Sequence, residues 1–250
     1  GIVKGVFGWP AIHTRRGKNL DMAPALDNIC IDIGAGSKAE VLERGIHVGC
    51  VVTYQDEFSE LGSKYYCGRA LDNRMGGYCI AQVARLIASH KIYIPFGLYF
   101  VNSVQEEIGL RGAEMIANTI KPNVAIVTDV THDTRTPMIN KVEQGDVASG
   151  AGPALTYAPS IHNKLQAIVI EAAKEAGIPI QLSAASRSTG TDTDAFAYSN
   201  GGIPSTLISL PLRYMHTTVE MAHKDDIENI IQLIYKTILR LDPLFDYKYF

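Results

Sequence analysis

The 250-residue sequence lacks the features that mark several large classes of protein. Its net charge is −3 at pH 7, so no excess of basic residues indicates nucleic acid or an anionic membrane as a partner. No stretch approaches the roughly 20 consecutive apolar residues of a membrane span. The four cysteines (Cys30, Cys50, Cys67 and Cys79) contain no Cys-x-x-Cys pair, which predicts reduced thiols in a cytoplasmic protein. What remains, with 46% hydrophobic residues, is an ordinary globular composition with enough apolar residues for a sizeable core.

Motifs for nucleophilic catalysis and for phosphate binding are also missing. There is no Gly-x-Ser-x-Gly elbow, and no cysteine has a plausible partnered context. The glycine clusters at 150–153 and 201–202 are turn signals and do not form a phosphate-binding fingerprint. The single tryptophan, Trp9, lies far along the chain from the acidic motifs described below, so no aromatic platform indicates a carbohydrate site. A serine or cysteine nucleophile is therefore not expected.

The character of the sequence changes near Cys67. Residues 1–66 carry short apolar runs separated by turn signals, which predicts a small β-barrel or sandwich with one helix at 37–44. From Cys67 onward, strand patterns alternate with helix patterns, which predicts an α/β domain with a mixed, largely parallel sheet flanked by helices. We therefore divide the chain into domains 1–66 and 67–250.

Hydrophobic periodicity locates the main elements of the second domain. Helices are predicted at 78–90, 110–120, 162–176, 194–199 and 224–241. Strands are predicted at 96–104, 123–130, 180–185 and 205–210. Binding sites in such folds form at the carboxyl ends of the strands, so polar residues that follow these strands are the candidates for function.

The most informative of these residues are two adjacent glutamates in the run 104–109, VQEEIG. Neighbouring side chains on an extended backbone point to opposite faces, so Glu106 and Glu107 can serve one site only in different roles. One can bind a metal while the other carries a proton. Asp72, Asp129 and His216 lie near the ends of other predicted elements and would share the same edge of the sheet. This set of carboxylates and one imidazole suits Zn²⁺, Co²⁺ or Mn²⁺.

Each of these residues has a simpler interpretation when it is taken alone. Asp72 can cap the helix that follows it, and the two glutamates can be solvated charges in a loop. His216 can be a packed or hydrogen-bonded histidine. An acid directly after a buried strand, as at Asp129, is harder to explain outside a site. The conjunction of all of them favours a metal-dependent hydrolase.

Two further residues lie near the inferred site and are candidates for substrate binding. Asp192, in the run TDTD at 191–194, and Arg213 could line the pocket for the first side chain of a substrate. For Asp192, a structural role at the start of the next helix is an equal alternative.

Five motifs in order, ALDNRMGG, VQEEIGLRGA, VTD, TGTDTDAF and ISLPLRYMHTTVE, resemble the tetrahedral, glutamyl-aminopeptidase-like family of dinuclear metallo-aminopeptidases, some of whose members carry an endoglucanase label. The segments GVFGWPAIH and IDIGAGS resemble the inserted dimerisation domain of that family. The likeness covers almost the whole chain. It implies a zinc-exopeptidase-like fold with an inserted small β-barrel, partly present at 1–66, and dimers that assemble into a dodecamer. It also implies that the substrates are peptides, from which N-terminal residues are removed.

The resemblance also implies a role for each candidate residue. Asp72 would bridge two divalent metal ions, Zn²⁺ or Co²⁺, next to a strained Asp72–Asn73 peptide that can take the cis form. Glu107 and His216 would complete the first metal site, and Asp129 would bind the second metal. Glu106 would be the general base. This agrees with the division of the two glutamates between ligand and proton carrier.

One departure from the family pattern affects the second metal. The family supplies a histidine to that metal from a His-x-Asp motif N-terminal to the inserted domain, and this chain shows none there. We expect a segment upstream of Gly1 to supply it, since the chain opens in the middle of a domain. The alternatives are a single-metal relative, or a fragment or assembly subunit without activity. An endoglucanase is disfavoured because it needs two carboxylates about 5–9.5 Å apart that flank a sugar bond, whereas Glu106 and Glu107 point apart.

Overall fold

The computed structural model describes residues 1–15, 17 and 23–248. The chain divides into two compact units, Gly1–Tyr54 and Gln55–Phe250. This division falls before the boundary predicted at residue 66, because the hairpin of Ser59–Leu61 and Tyr65–Gly68 is hydrogen-bonded into the larger sheet through Glu220–His223. No helix in the described part of the chain is long and apolar enough to span a membrane.

The first unit contains little regular structure. Strands β1 (Val6–Gly8) and β2 (Cys30–Asp32) form an antiparallel pair, and a short 3₁₀ helix covers Ile12–Thr14. The predicted helix at 37–44 is confirmed as α1 (Lys38–Glu43), and the Ser37 hydroxyl accepts the amide of Glu40 as its N-cap. The described residues of this unit contain no closed barrel, since each strand has three residues and two strands make up the sheet. The barrel stays a prediction.

The second unit is built on a seven-stranded mixed sheet. Its strands are β3 (Ser59–Leu61), β4 (Tyr65–Gly68), β5 (Ala125–His132), β6 (Ala154–Tyr157), β7 (Gln181–Ala184), β8 (Ser205–Arg213) and β9 (Glu220–His223). The order is β3-β4-β9-β8-β6-β7, and β5 pairs with β8. β5 lies parallel to β8 with Ala125 opposite Ser205, and β6 lies parallel to β7, while the other four pairings are antiparallel. The prediction of a mixed sheet is confirmed, but "largely parallel" is wrong, because β3–β4 and β8–β9 are joined by short connections that only antiparallel strands can use.

Two groups of helices pack with this sheet. The helices are α2 (Leu71–Ser89), α3 (Arg111–Ile120), α4 (Lys141–Gln144), α5 (Asn163–Ala176), α6 (Asp192–Ala197) and α7 (Lys224–Arg240). Helices α2 and α5 both contact α7, and α3 contacts α6. The five predicted helices are confirmed: α2 begins seven residues before its predicted start, and the other ends differ by at most two residues.

The core of this unit lies between β8 and the α2–α5–α7 group. Alternate residues of β8, Ile208, Leu210 and Leu212, are almost fully buried together with Leu155 on β6 and Leu233 on α7. Each such side chain contributes about 1.5–3 kcal/mol by leaving water. β8 is buried along nearly its whole length, so it is a rigid support for the loop that follows it.

The predicted strand at 96–104 is wrong. The segment has no regular secondary structure, and it joins no sheet among the described residues. Phe96 and Leu98 pack against the core, whereas Tyr99 and Val104 are 66% and 65% exposed. Some apolar residues of the segment therefore pack on the core while others face solvent, so the segment is not a strand buried on both faces.

Candidate metal centre

The first segment of the candidate site is the N-terminal turn of α2. The Asp72–Asn73 peptide is cis, as the resemblance implied, and both residues depart from helical backbone angles. The Asn73 amide group donates to the Thr128 carbonyl of β5 at 2.8 Å, and its oxygen accepts the amide of Gly76 at 2.9 Å. The helix N-cap is Ala70, and no side chain caps this end. Asp72 is therefore not a helix cap, and its carboxylate is available for another role.

Asp72, Glu107 and His216 converge on one point. The His216 Nε2 atom lies 3.1 Å from Asp72 Oδ2 and 3.3 Å from Glu107 Oε2. One potential ligand atom from each of the three residues lies within 4.8 Å of the others. No other group of three such residues in the described part of the chain meets this condition. The side chains of His216 and Glu107 are 63% and 56% exposed, so the cluster opens to solvent.

Glu106 lies beside this cluster but is more buried than Glu107. Burial is the main cause that raises the pKa of Glu106 to about 7. The carboxylates of Asp192, Glu107 and Asp72 raise it further, in that order, and His216 opposes them. The two glutamates therefore differ in burial, and their separate roles stay a prediction.

Asp129 is the most deeply placed carboxylate of the group. It lies on β5 at 6% exposure, and its Oδ1 accepts the amide of Val130 at 2.9 Å. Burial raises the pKa of Asp129 to about 8, against the effect of this hydrogen bond, and the charges of Asp72, Glu106 and Asp192 add to the rise. The pKa of Asp72 is raised to about 6, first by burial and then by Glu107. Carboxylates that raise one another's pKa in this way form a site that favours a bound cation.

Asp192 is the first residue of α6, but it does not cap that helix. Thr191 is the N-cap, and the Asp194 carboxylate accepts the amides of Thr189 and Gly190 at 2.9 and 3.0 Å. The Ser103 hydroxyl donates to Asp192 Oδ2, while Oδ1 is buried and has no hydrogen-bond partner in the described part of the chain. The structural role at the start of the helix, which the sequence allowed for Asp192, therefore belongs to Asp194. Asp192 keeps one carboxylate oxygen for another contact.

Arg213 is occupied by contacts within the fold. Its Nε donates to Asp133 Oδ2 at 2.6 Å, and its guanidinium lies 5.3 Å from the centre of the Tyr65 ring. The Asp133 side chain is fully buried. A contact of Arg213 with substrate stays a prediction.

Sequence reasoning missed Glu220, the last residue of the motif ISLPLRYMHTTVE. This carboxylate is 2% exposed and accepts the backbone amides of both His216 and Asp72. A glutamate that begins a strand gives no sequence signal for this role, because the two amides come from distant parts of the chain.

The chain contains one His-x-Asp tripeptide, His223–Asp225, outside the place where the resemblance calls for it. The His223 Nδ1 atom accepts the Asp225 amide at 3.2 Å as the N-cap of α7, and the ring packs edge-on against Tyr65. This histidine is therefore a helix cap. Asp72 and Asp129 remain the candidate ligands for a second metal.

Comparison with known proteins decides the family. The profile of the M42 glutamyl aminopeptidase family matches residues 1–233. The chain belongs to the M42 glutamyl aminopeptidase family. It is 34% identical over 245 residues to a lysyl aminopeptidase of Pyrococcus furiosus, an alignment that covers 96% of this chain and 68% of the relative.

Solved M42 structures show the same fold. A TET aminopeptidase from a marine-sediment Thaumarchaeota archaeon superposes with a TM-score of 0.87 at 33% identity, covering 97% of this chain and 69% of that one. The TET1 peptidase of Pyrococcus horikoshii, which can assemble into a tetrahedron or a large octahedral shell, gives a TM-score of 0.76 at 30% identity, covering 96% and 69% of the two chains. This M42 chain thus spans about two thirds of the length of these relatives.

Proposed function

We propose that this M42 chain is a metal-dependent aminopeptidase, which hydrolyses N-terminal residues from peptides. The observation that carries the proposal is the convergence of Asp72, Glu107 and His216 within 4.8 Å, beside the half-buried carboxylate of Glu106. Membership of a family of aminopeptidases supports the same reaction.

The donor set fits a divalent metal. Asp72, Glu107 and His216 offer two carboxylate oxygens and one imidazole nitrogen, which suit Zn²⁺ or Co²⁺. We propose two ions per subunit, with Asp72 shared, Glu107 and His216 at the first, and Asp129 at the second. When bound, such ions polarise the scissile carbonyl and lower the pKa of a water towards neutrality.

Glu106 is the proposed general base. It would take a proton from the attacking water and return it to the leaving amine. Its carboxylate lies beside the cluster but is more buried than that of Glu107, which suits a group that carries a proton rather than one that binds the metal. Such a step typically contributes about 10²–10⁴-fold to the rate.

Asp192 is the proposed contact for the substrate's amino terminus. A buried carboxylate oxygen without a partner is costly, and a protonated amine is a group that would satisfy it. Ser103 fixes the other oxygen and so orients the carboxylate. Arg213 is a further proposed contact, at the wall of the pocket for the first side chain of the substrate.

Homo-oligomerisation and a cytoplasmic location complete the proposal. The assembly of the P. horikoshii relative into closed shells supports a homo-oligomer, with dimers that build a dodecamer. In the first unit, Val48 and Val51 are 102% and 88% exposed, which suits a surface that another subunit covers. All four cysteines are free, which agrees with reduced thiols.

A non-catalytic assembly subunit is the second candidate. The observation in its favour is that the described residues offer two carboxylates and no histidine for a second metal. An endoglucanase has no such support, because Glu106 and Glu107 are adjacent in sequence and no aromatic platform accompanies them.

Hydrolysis of a panel of aminoacyl-anilides, before and after chelation, tests the proposal. We expect cleavage that chelation abolishes and that Zn²⁺ or Co²⁺ restores, and the panel would also name the preferred residue. Silence across the panel in metal-loaded protein would contradict aminopeptidase activity and support the assembly subunit. Release of reducing sugar from glucan without metal would point to the endoglucanase instead.

A further inference from the structure

One buried carboxylate contacts the backbones of two residues of the candidate metal cluster, Asp72 and His216. Glu220, the first residue of β9, accepts the His216 amide through Oε1 at 2.8 Å and the Asp72 amide through Oε2 at 3.2 Å. Asp72 and Glu220 are 148 residues apart in the sequence. The Glu220 side chain thus fixes the backbones of two candidate ligands relative to each other.

A carboxylate is suited to this position because both donors are amide N–H groups. It accepts a hydrogen bond at each of its two oxygens, whereas an amide side chain offers one oxygen and an NH₂ group that would face an N–H. The geometry therefore distinguishes Glu220 from a glutamine of the same size.

The backbone of His216 depends on such a contact. Its φ of 62° lies in the left-handed region, which residues with a side chain adopt only where surrounding contacts hold them there. The hydrogen bond to Glu220 is made by the amide of this same residue. Loss of that bond would release the loop between β8 and β9 and turn the imidazole away from Asp72 and Glu107.

Burial adds an electrostatic effect. Glu220 is 2% exposed, and no lysine or arginine forms an ion pair with it among the described residues. Its charge lies one backbone unit behind the candidate ligands, where it strengthens the attraction of the site for a divalent cation.

We propose that Glu220 is a positioning residue that holds Asp72 and His216 in place and so sets the affinity of the cluster for a divalent metal ion. The inference rests on the proposed function only in taking the cluster as a metal site. It assigns Glu220 no contact with substrate or metal.

The test is Zn²⁺ binding to the metal-free full chain, measured by competition with a chromophoric chelator. We expect Glu220→Gln to weaken Zn²⁺ binding by about 10- to 100-fold, the range found when groups behind metal ligands are lost. The visible spectrum of the Co²⁺-loaded protein should change as well, because the ligands would no longer hold one geometry. Glu171→Gln, the same change at an exposed position of α5, should leave both measurements unaltered.

A second control separates positioning from simple loss of stability. Ile230→Val shortens a fully buried side chain of α7 and should lower the melting temperature without weakening Zn²⁺ binding. If Glu220→Gln lowers the melting temperature but binds Zn²⁺ as tightly as the unmodified chain, with an unchanged Co²⁺ spectrum, Glu220 is merely structural and the inference fails.

The remaining outcomes are also decisive. If Glu220→Gln does not fold, Glu220→Asp replaces it, because the shorter side chain keeps the negative charge but cannot reach both amides. Unaltered Zn²⁺ affinity in Glu220→Asp would overturn the inference. If the unmodified chain binds neither Zn²⁺ nor Co²⁺, the proposed metal function fails and takes the inference with it. Metal binding without peptidase activity would leave the positioning role standing and remove the aminopeptidase.

Discussion

A methyl group added at Gly112 should disturb the candidate metal centre from outside it. Gly112 lies in α3, and its amide donates to the Val104 carbonyl at 2.9 Å. A Cβ atom there would lie 2.2 Å from the Val104 oxygen and 2.6 Å from the Val104 nitrogen. Ordinary contacts begin at 3.4 Å, so the backbone of Val104 must move by about 1 Å.

That movement has a direct route to the glutamates. The Gln105 carbonyl accepts the amide of Arg111, and the Glu106 carbonyl accepts the amides of Gly109 and Leu110. The turn therefore moves as one piece, and a displacement of Val104 is passed on to Glu106 and Glu107. A misplacement of about 1 Å can cost about 10²-fold in rate, and overpacking costs about 1–3 kcal/mol of stability.

Gly77→Ala is the matched control. Gly77 also lies in a helix beside the same segment, but its Cβ would meet the Asn102 side chain at 3.5 Å, an ordinary contact. The gain in helix propensity of about 1 kcal/mol should make this variant as stable as the unmodified chain or more so.

The assay compares kcat/KM on the preferred aminoacyl-anilide, Zn²⁺ affinity and melting temperature for both variants. We expect Gly112→Ala to lose about 10²-fold in kcat/KM and to bind Zn²⁺ more weakly, with Gly77→Ala unchanged in both. Activity of Gly112→Ala within twofold of the unmodified chain would refute the reasoning, because it would mean that Val104 yields without moving the glutamates.

Three further substitutions test individual residues. Glu106→Gln should bind Zn²⁺ normally but lose about 10²–10⁴-fold in kcat, and near-normal turnover would rule out Glu106 as the base. His216→Ala should lower both metal content after dialysis and rate; unchanged metal content would remove His216 from the ligands. Asp133→Asn should lose about 1–3 kcal/mol of stability towards urea at pH 7, because it weakens the pairing with Arg213. Burial raises the pKa of Asp133, but the pairing with Arg213 and the amide of Arg135 outweigh it, so the pKa is lower in the folded protein than in the unfolded chain. The contribution of Asp133 to stability is therefore complete above the pKa of the unfolded chain, near 4, and declines as the pH falls through the pKa of the folded protein. A stability difference that stays constant down to pH 2 would contradict this account.

The sequence was most informative where a local rule applies. The helix at 37–44, the apolar run that becomes β8 and the helical periodicity of α5 and α7 depend on near neighbours in the chain, and all were confirmed. The separate roles proposed for Glu106 and Glu107 rested on the alternation of side chains along an extended backbone. The two residues lie in a turn instead, so their different exposure does not come from that alternation, and their roles stay a prediction.

Errors arose where partners are distant in the sequence. The segment 96–104 has the composition of a strand, but strand formation needs a neighbour with free backbone groups, and composition does not show whether one is present. The direction of strand pairing in the sheet was misjudged for the same reason. Glu220 and Ser103 could not be identified from the sequence. Glu220 contacts Asp72, and Ser103 contacts Asp192, and both partners are more than 80 positions away in the chain.

The backbone gives an argument for this site that is independent of the motifs. Nine described residues other than glycine have positive φ, and five of them flank or belong to the three ligand-bearing loops: Ala70, Gln105, Leu110, Tyr214 and His216. Each such conformation costs about 1–3 kcal/mol and persists only where surrounding contacts fix it. None of the nine belongs to the buried core as far as the structure describes it. The unfavourable conformations are therefore best explained by what the loops carry, and they concentrate where Asp72, Glu107 and His216 meet.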